Sequence, residues 1–242
     1  MPLVRSQRER LVQKMFDRIA GHYDFLNRVI SFNLDTFWRR RAIKALGIKK
    51  TDRFVLDLGT GTGGIALTGA REMGSRGKVI GLDISLEMLR LAQEKRRKLP
   101  YGDKAAFILG SALRPPFGSE TFDGIITAFV LRNITDLNLF FLEAYGLLRP
   151  GGRLASLEMF PPTSGPFFFL YSFYFYRLVP WIGACLAGDR PAYQYLSDSV
   201  KRFDPPDSIS VIIRKAGFAE VKTHRFLKGA VCIHVAEKPQ RQ

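Results

Sequence analysis

The sequence contains few cysteines and few histidines. Its 242 residues include only two cysteines, at positions 185 and 232, and three histidines. The cysteines form no C-x-x-C motif and the histidines lack metal-ligand spacing, so we expect no metal site and no disulfide framework. Such a chain suits a reducing compartment, and residues 1–5 lack the apolar stretch of a secretory signal, so we expect a cytoplasmic protein.

Acidic residues are scarce relative to basic ones. The chain has 37 Lys and Arg against 22 Asp and Glu, which gives a formal net charge of +15 and a pI near 10.1. Such a surface favours anionic partners, either nucleic acid or anionic lipid headgroups. A basic surface with no dedicated partner is the third reading, and composition alone does not choose among them.

Strand and helix patterns alternate along most of the chain. Strands are predicted at 53–58, 78–83, 105–109, 123–129 and 152–159, with helices at 63–72, 86–98 and 136–148 between them. Ser85 and Asp136 are the start signals of the last two helices. A helix at 206–216 and a hairpin of strands at 219–226 and 230–237 follow. This order predicts an α/β fold with a parallel sheet and one antiparallel edge, in which ligands bind beyond the carboxyl ends of the strands. The length fits one domain, residues 1–242, with a helical cap at 1–50 and an insertion at 160–205. Within the cap, helices are predicted at 5–20 and 36–46.

A glycine-rich turn follows the first predicted strand. Gly59, Gly61 and Gly63 alternate with threonines and lead into a helical pattern, and the second strand ends in Asp83. Glycines let the backbone approach a ligand, and an acid at the next strand end accepts hydrogen bonds from ribose hydroxyls. This D-x-G-x-G-x-G form resembles the S-adenosylmethionine (SAM) site of Rossmann-like methyltransferases. The alternative is a tight turn followed by a strand-end Asp with no ligand.

Polar residues also follow the third and fourth strands. Ser111 occupies the position where methyltransferases usually carry an Asp or Asn facing the adenine amino group. Arg132 and Asn133 follow the fourth strand, where a cation and an amide suit a developing oxyanion. Alternatively, Arg132 pairs with a helix-end acid and Asn133 caps the helix that begins near Thr135. The N-P-P-Y-type motif of enzymes that methylate nucleic-acid amines is absent there.

Aromatic residues crowd the stretch from 167 to 176, and Trp181 follows them. Arg177 and Pro180 interrupt the run, which is too short for a clean membrane-spanning helix. The composition fits a membrane interface, a pocket wall or a helix packed on the sheet. An intermediate reading is a lid over an apolar channel.

Several segments together resemble the ubiquinone/menaquinone biosynthesis C-methyltransferase family. They are residues 15–28, 31–40, 131–133, 149–152, 157–159, 193–200 and 216–218. The resemblance runs from Lys14 to Lys238 and implies a seven-stranded, class I SAM-dependent methyltransferase with N-terminal helices and an aromatic-rich lid before the C-terminal hairpin. The chain departs from the family at Gly64, where an Asp is frequent, and at Val130, where a Gly precedes the Leu-Arg-Asn segment.

The resemblance implies methyl transfer from SAM to a ring carbon of a polyprenylated quinol, most often demethylmenaquinol in prokaryotes. Arg132, Asn133 and Tyr23 are the implied catalytic residues, with Arg132 stabilising the phenolate. The cofactor residues would be Gly59, Gly61, Thr62, Asp83, Ile84, Ser111 and Ala112. The aromatic segment would hold the polyprenyl tail and the basic surface would contact an anionic membrane; no nucleic-acid partner is expected, and a homo-oligomer is left open.

Three alternatives compete with quinol methylation. The high pI prompts an RNA methyltransferase, but the chain shows no added RNA-binding module. A methyltransferase acting on another phenolic or lipid small molecule could use the same pocket. A non-catalytic protein with this fold could scaffold a membrane complex, although the intact glycine turn and Asp83 argue against it.

Overall fold

The computed structural model describes residues 7–162, 166–187 and 189–241. The predictions for residues 1–5, for the first two residues of the N-terminal helix, and for positions 163–165 and 188 of the insertion fall outside the described residues.

A seven-stranded sheet forms the centre of the protein, in the order β3-β2-β1-β4-β5-β7-β6. The strands are β1 (Phe54–Leu58), β2 (Lys78–Asp83), β3 (Ala105–Leu109), β4 (Phe122–Ala128), β5 (Leu148–Met159), β6 (Val221–Phe226) and β7 (Val231–Glu237). Strands β1 to β5 pair in parallel, whereas β7 runs antiparallel to both β5 and β6. The predicted parallel sheet with an antiparallel edge is therefore confirmed.

Nine α-helices are present in the described residues. They are α1 (Gln7–Ile30), α2 (Leu34–Leu46), α3 (Gly64–Glu72), α4 (Leu86–Arg97), α5 (Leu137–Leu147), α6 (Pro166–Phe173), α7 (Val179–Ala187), α8 (Arg190–Lys201) and α9 (Pro206–Lys215). Ser85 caps α4 by accepting from the Met88 amide at 3.2 Å, and Asp136 caps α5 by accepting from the Leu139 amide at 2.9 Å. These side-chain caps begin the two helices where the sequence predicts them.

Side chains alternate between the two faces of the sheet, as the two-residue period of a strand requires. In β1, Leu56 and Leu58 pack with Phe140 of α5 on one face. Val55 points to the other face, where it packs with Trp38 of α2. The helices on both faces leave the carboxyl ends of the parallel strands at one edge of the sheet.

The aromatic insertion is helical. A π-helical turn at Tyr174–Leu178 joins α6 to α7, so the segment is regular rather than an irregular connection. Tyr171, Phe175 and Val179 are buried against Ile19 and Leu26 of α1. The insertion thus packs mainly on the first helix, not on the sheet. Among the described helices, none combines the length and apolar character needed to cross a bilayer.

Candidate active site

The glycine turn after β1 is shaped for close backbone approach. Gly59, Gly61 and Gly63 all have positive φ angles, 74°, 54° and 79°. A Cβ atom on Gly59 would come within 2.8 Å of Val130 Cγ1 and closer still to Cγ2. Only glycine fits there, because any side chain would be both strained and overpacked.

Asp83 lies at the end of β2 and ties two loops together. Its carboxylate accepts from the Gly61 amide at 2.7 Å and from the Ser85 amide at 2.9 Å. Desolvation raises the pKa of Asp83 above its ordinary value, while the hydrogen bonds from the amides of Ser85, Gly61 and Ile84 oppose that rise. The predicted acid is therefore held in a fixed orientation beside the glycine turn.

A first cavity of about 80 Å³ opens at this turn. Six of the seven predicted cofactor residues line it: Gly59, Gly61, Asp83, Ile84, Ser111 and Ala112. The seventh, Thr62, is buried outside the cavity wall, and its hydroxyl donates to Asp24 of α1 at 2.6 Å. We call this the donor cavity.

Helix α1 covers the donor cavity and is fixed by its own acids. Glu9 accepts from the Ser111 hydroxyl at 2.7 Å, and Asp17 accepts from the Ser85 hydroxyl at 2.6 Å. Together with Asp24, these acids contact the loops that follow β1, β2 and β3. Sequence reasoning missed these contacts, although the spacing of the three acids along a basic helix was a visible signal.

A second cavity of about 390 Å³ adjoins the first. Its wall comes from α1, α2, the aromatic insertion and the C-terminal hairpin, and it is mostly apolar: Ile30, Phe32, Leu34, Trp38, Met159, Leu170, Tyr171, Tyr174, Phe175, Leu196, Leu227 and Val231. Of these, Phe32 is 73% and Leu170 69% exposed, so they form part of an open, apolar mouth. We call this the acceptor cavity.

The two cavities share the side chains of Tyr23 and Phe129 as walls. Phe129 has a positive φ of 62° although it is not glycine, and its amide donates to the Leu157 carbonyl at 2.8 Å. Backbone strain of this kind persists only where the surroundings impose it, and it clusters at functional sites. Phe129 is a site residue that the sequence did not reveal, and its unusual backbone has no sequence signal.

Arg132 lies in the acceptor-cavity wall and forms a buried ion pair with Glu158 at the end of β5. Glu158 also accepts from the Met159 amide at 2.8 Å, and desolvation raises its pKa although Arg132 opposes this. The partner of Arg132 is thus a strand-end acid, not the helix-end acid of the alternative reading. Glu158 is fully buried behind Arg132 and is absent from the cavity wall.

Asn133 lines the donor cavity, and its side-chain oxygen accepts from the Tyr195 hydroxyl at 3.0 Å. It does not cap the following helix, because Asp136 does so. The three predicted catalytic residues therefore lie where the two cavities adjoin. Asn133 lines the donor cavity, Arg132 lines the acceptor cavity, and Tyr23 lines both.

Asp57, in the middle of the β1 motif, is a further acid that the predicted site omitted. It is buried, and its carboxylate accepts from the Thr60 hydroxyl at 2.7 Å and from the Ala66 amide at 3.1 Å. Desolvation raises the pKa of Asp57 to about 7. The sequence signal for Asp57 was its place as the Asp of the D-x-G-x-G pattern. Its hydrogen bonds hold the glycine turn and the start of α3.

His234 is a core residue, as its apolar strand suggested. It is fully buried, and its Nε2 lies 3.0 Å from the Pro206 carbonyl oxygen. Burial lowers its pKa to about 4. Within the described residues, no three His, Cys, Asp or Glu side chains are grouped to hold a metal ion.

The donor cavity has the lining that a nucleoside cofactor such as SAM requires. Gly61 offers bare backbone with no heavy atom within 4 Å of where its Cβ would lie, and Asp83 presents an oriented carboxylate for ribose hydroxyls. Ile84 and Ala112 add apolar wall beside the Ser111 hydroxyl. Backbone access, one acid and an apolar slot are the features that a nucleoside requires.

Residues 3–238 match the model of the ubiE/COQ5 methyltransferase family. The demethylmenaquinone methyltransferase of Thermus thermophilus is 39% identical over 225 residues, 93% of this chain and 100% of that protein. The ubiquinone/menaquinone biosynthesis C-methyltransferase of Haemophilus ducreyi is 32% identical, over 96% of this chain and 89% of its own. A SAM-dependent methyltransferase structure from Aquifex aeolicus has a TM-score of 0.60 and 22% identity, covers 84% of this chain and 90% of its own, and supports the fold alone.

Proposed function

The chain belongs to the ubiE/COQ5 methyltransferase family and is a SAM-dependent methyltransferase, and from that premise we propose that it methylates a ring carbon of a polyprenylated quinol, demethylmenaquinol, in respiratory quinone biosynthesis. One observation carries the proposal. A cavity lined by the predicted cofactor residues and a larger apolar cavity with two arginines in its wall share Tyr23 and Phe129 as walls.

Gly59, Gly61, Asp83, Ile84, Ser111 and Ala112 would hold the cofactor in the donor cavity. When bound, SAM supplies an electrophilic methyl group on its sulfonium. Thr62 contributes indirectly, since its hydroxyl fixes Asp24 of α1 over the site. The protein's part is to exclude water and to hold the acceptor carbon at about 3–3.5 Å from the methyl group.

The acceptor carbon becomes nucleophilic when the neighbouring quinol hydroxyl loses its proton. Arg132 is suited to stabilise the resulting phenolate because its guanidinium stays charged and Glu158 holds it at the cavity wall. Lowering the pKa of the hydroxyl lets water carry its proton away. After the carbon has accepted the methyl group from the sulfonium, it loses its own ring proton to water and the ring regains its aromaticity. Tyr23 and Asn133 line the junction where the ring would sit, and Tyr195 positions Asn133.

The polyprenyl tail would leave the site through the apolar mouth of the acceptor cavity. Each buried CH2-sized group contributes about 0.8 kcal/mol, so one isoprene unit strengthens binding appreciably. The aromatic insertion supplies Leu170, Tyr171 and Tyr174 to this wall. This is the observation that separates a lipid quinol from a small phenol.

The mouth also suits peripheral contact with an anionic membrane, where such a quinol resides. Phe32 and Leu227 are exposed at the rim, and Lys228 beside Leu227 is exposed too. Arg41 lies over the exposed Phe37 ring, 5.0 Å from its centroid. Apolar side chains flanked by cations are the combination that binds anionic lipid surfaces.

The test uses purified protein, SAM labelled with ¹³C in the methyl group, and demethylmenaquinol with a short tail, kept reduced. We expect the label on the ring carbon beside the prenyl-bearing carbon, and at least a hundredfold loss of turnover in Arg132→Ala. Arg177→Ala, which removes an exposed arginine of the insertion, is the matched control. Label on oxygen, or turnover of RNA but not of quinol, would refute the proposal.

A further inference from the structure

Two guanidiniums stand at the inner end of the acceptor cavity. Among its described lining residues, the positively charged ones are Arg39 of α2 and Arg132. The Arg39 Cζ atom lies 5.4 Å from the Phe129 ring centroid, and the Arg132 Cζ atom lies 5.9 Å from it. Because Phe129 separates the two cavities, both cations are close to the place where the methyl group must cross.

The two arginines differ in their bonding. Arg132 is locked to Glu158, whereas the ion pair of Arg39 within the described residues is long, with its Nε 3.5 Å from Asp35 Oδ2. The charge of Arg39 also acts on the buried Asp57, whose pKa desolvation raises and Arg39 lowers. Among the hydrogen bonds of the described residues, none engages the Nη atoms of Arg39. Its side chain is 16% exposed, so this guanidinium is mostly withdrawn from bulk water.

The glycine at the start of α3 leaves room for this arrangement. A Cβ atom on Gly64 would lie 3.0 Å from Arg39 Nη1. The guanidinium therefore packs against bare backbone at Gly64, and Arg39 also lines a cavity whose remaining wall is mostly apolar. A partly desolvated cation with unused donors is a strong binding group for an oxygen that enters the cavity.

A 1,4-quinol carries two oxygens on opposite sides of its ring. One neighbours the carbon that is methylated, and the other neighbours the carbon that bears the tail. We propose, on the premise of the quinol substrate above, that Arg39 donates to the tail-side oxygen while Arg132 serves the other. Two donors at fixed positions define which ring carbon faces the donor cavity, whereas one donor leaves the ring free to turn.

The test measures binding by calorimetry under argon, independently of methyl transfer. The probes are 2-dimethylallyl-1,4-naphthoquinol and 3-dimethylallyl-1-naphthol, which lacks only the tail-side oxygen. Arg39→Gln should weaken quinol binding about tenfold, as expected for a lost charge-assisted hydrogen bond, and should not weaken naphthol binding. Arg40→Gln, at an exposed neighbouring position of α2, should change neither affinity.

A second variant separates the lost contact from misfolding. Arg39→Lys keeps a cation that can donate one hydrogen bond, so it should retain more quinol affinity than Arg39→Gln. Naphthol binding that is unchanged in both variants excludes misfolding, and equal quinol affinity in the two variants would overturn the role of Arg39.

The outcomes distinguish the role of Arg39 from the proposed function. Equal effects of Arg39→Gln on both probes, or no effect on either, overturn the role of Arg39. If the wild-type protein binds quinol through Arg39 yet transfers no methyl group to it, the proposed function fails and the assignment of Arg39 stands. Absence of quinol binding to the wild type overturns both.

Discussion

Replacing Glu158 with glutamine removes one charge of the buried ion pair while keeping the shape of the side chain. The Glu158 side chain is fully buried, and that of Arg132 is 7% exposed. Besides the guanidinium, Glu158 accepts from the Met159 amide at 2.8 Å and from the Arg132 amide at 3.4 Å. Glutamine can keep an amide contact but leaves the Arg132 charge uncompensated.

Breaking one side of a buried pair costs about 3–5 kcal/mol in unfolding free energy. Because glutamine keeps part of the hydrogen bonding, we expect a loss of about 3 kcal/mol for Glu158→Gln. In a protein of this size that lowers Tm by roughly 10 °C. The freed guanidinium shifts from its position, and a misplacement of about 1 Å can cost about a hundredfold in kcat.

The assay is a double-mutant cycle with Arg132→Met, measured by denaturant unfolding. The double variant should lose clearly less stability than the two single losses added together, because neither charge is then left alone. Glu87→Gln is the matched control: it breaks the exposed pair with Arg90 and should cost less than about 1 kcal/mol. Additive losses, or a Glu158→Gln protein with unchanged stability and kcat, would refute the role given to the pair.

Three further changes have defined outcomes. Gly59→Ala should weaken SAM binding more than tenfold and destabilise the fold by about 2–4 kcal/mol, because the new methyl group strains a positive φ and collides with Val130. Calorimetry measures the SAM affinity, and denaturant unfolding measures the stability. Tyr195→Phe should lower kcat/KM roughly threefold to tenfold with little change in Tm, since it removes the hydrogen bond to Asn133. Steady-state kinetics at a fixed SAM concentration measure kcat/KM. An unchanged kcat/KM would show that this hydrogen bond does not position Asn133 for the reaction. Burial raises the pKa of Asp57 to about 7. The stability contributed by its protonated form is therefore present below about pH 4 and is lost as pH rises through about 7. Asp57→Asn should flatten this decline in the free energy of unfolding by a few kcal/mol, as measured by unfolding curves from pH 5 to 8.

Local signals in the sequence predict the sheet and its helices well. The strand-end glycines, the caps at Ser85 and Asp136 and the two-residue period of β1 each depend on neighbours in the chain. Such signals also bring Gly59 and Asp83 to one edge of the sheet, because parallel strands share that edge.

Contacts between distant residues escaped sequence reasoning. The first helix continues to residue 30, ten residues beyond its predicted end, because its second half is buried under the aromatic insertion. The partner of Arg132 lies on another strand, and Glu9 reaches Ser111 from the far end of α1. Pairing of this kind depends on tertiary packing and leaves no periodic pattern in the chain.

The central claim is that two adjoining cavities hold the methyl donor and the quinol on either side of Phe129 and Tyr23. A crystal structure with S-adenosylhomocysteine and a short-tailed demethylmenaquinol tests it most directly. The account predicts the nucleoside beside Gly59 and Asp83, and the quinol ring against Arg132 with its tail in the apolar mouth. A quinol bound outside the acceptor cavity, or a ring separated from the donor cavity by protein, would contradict it.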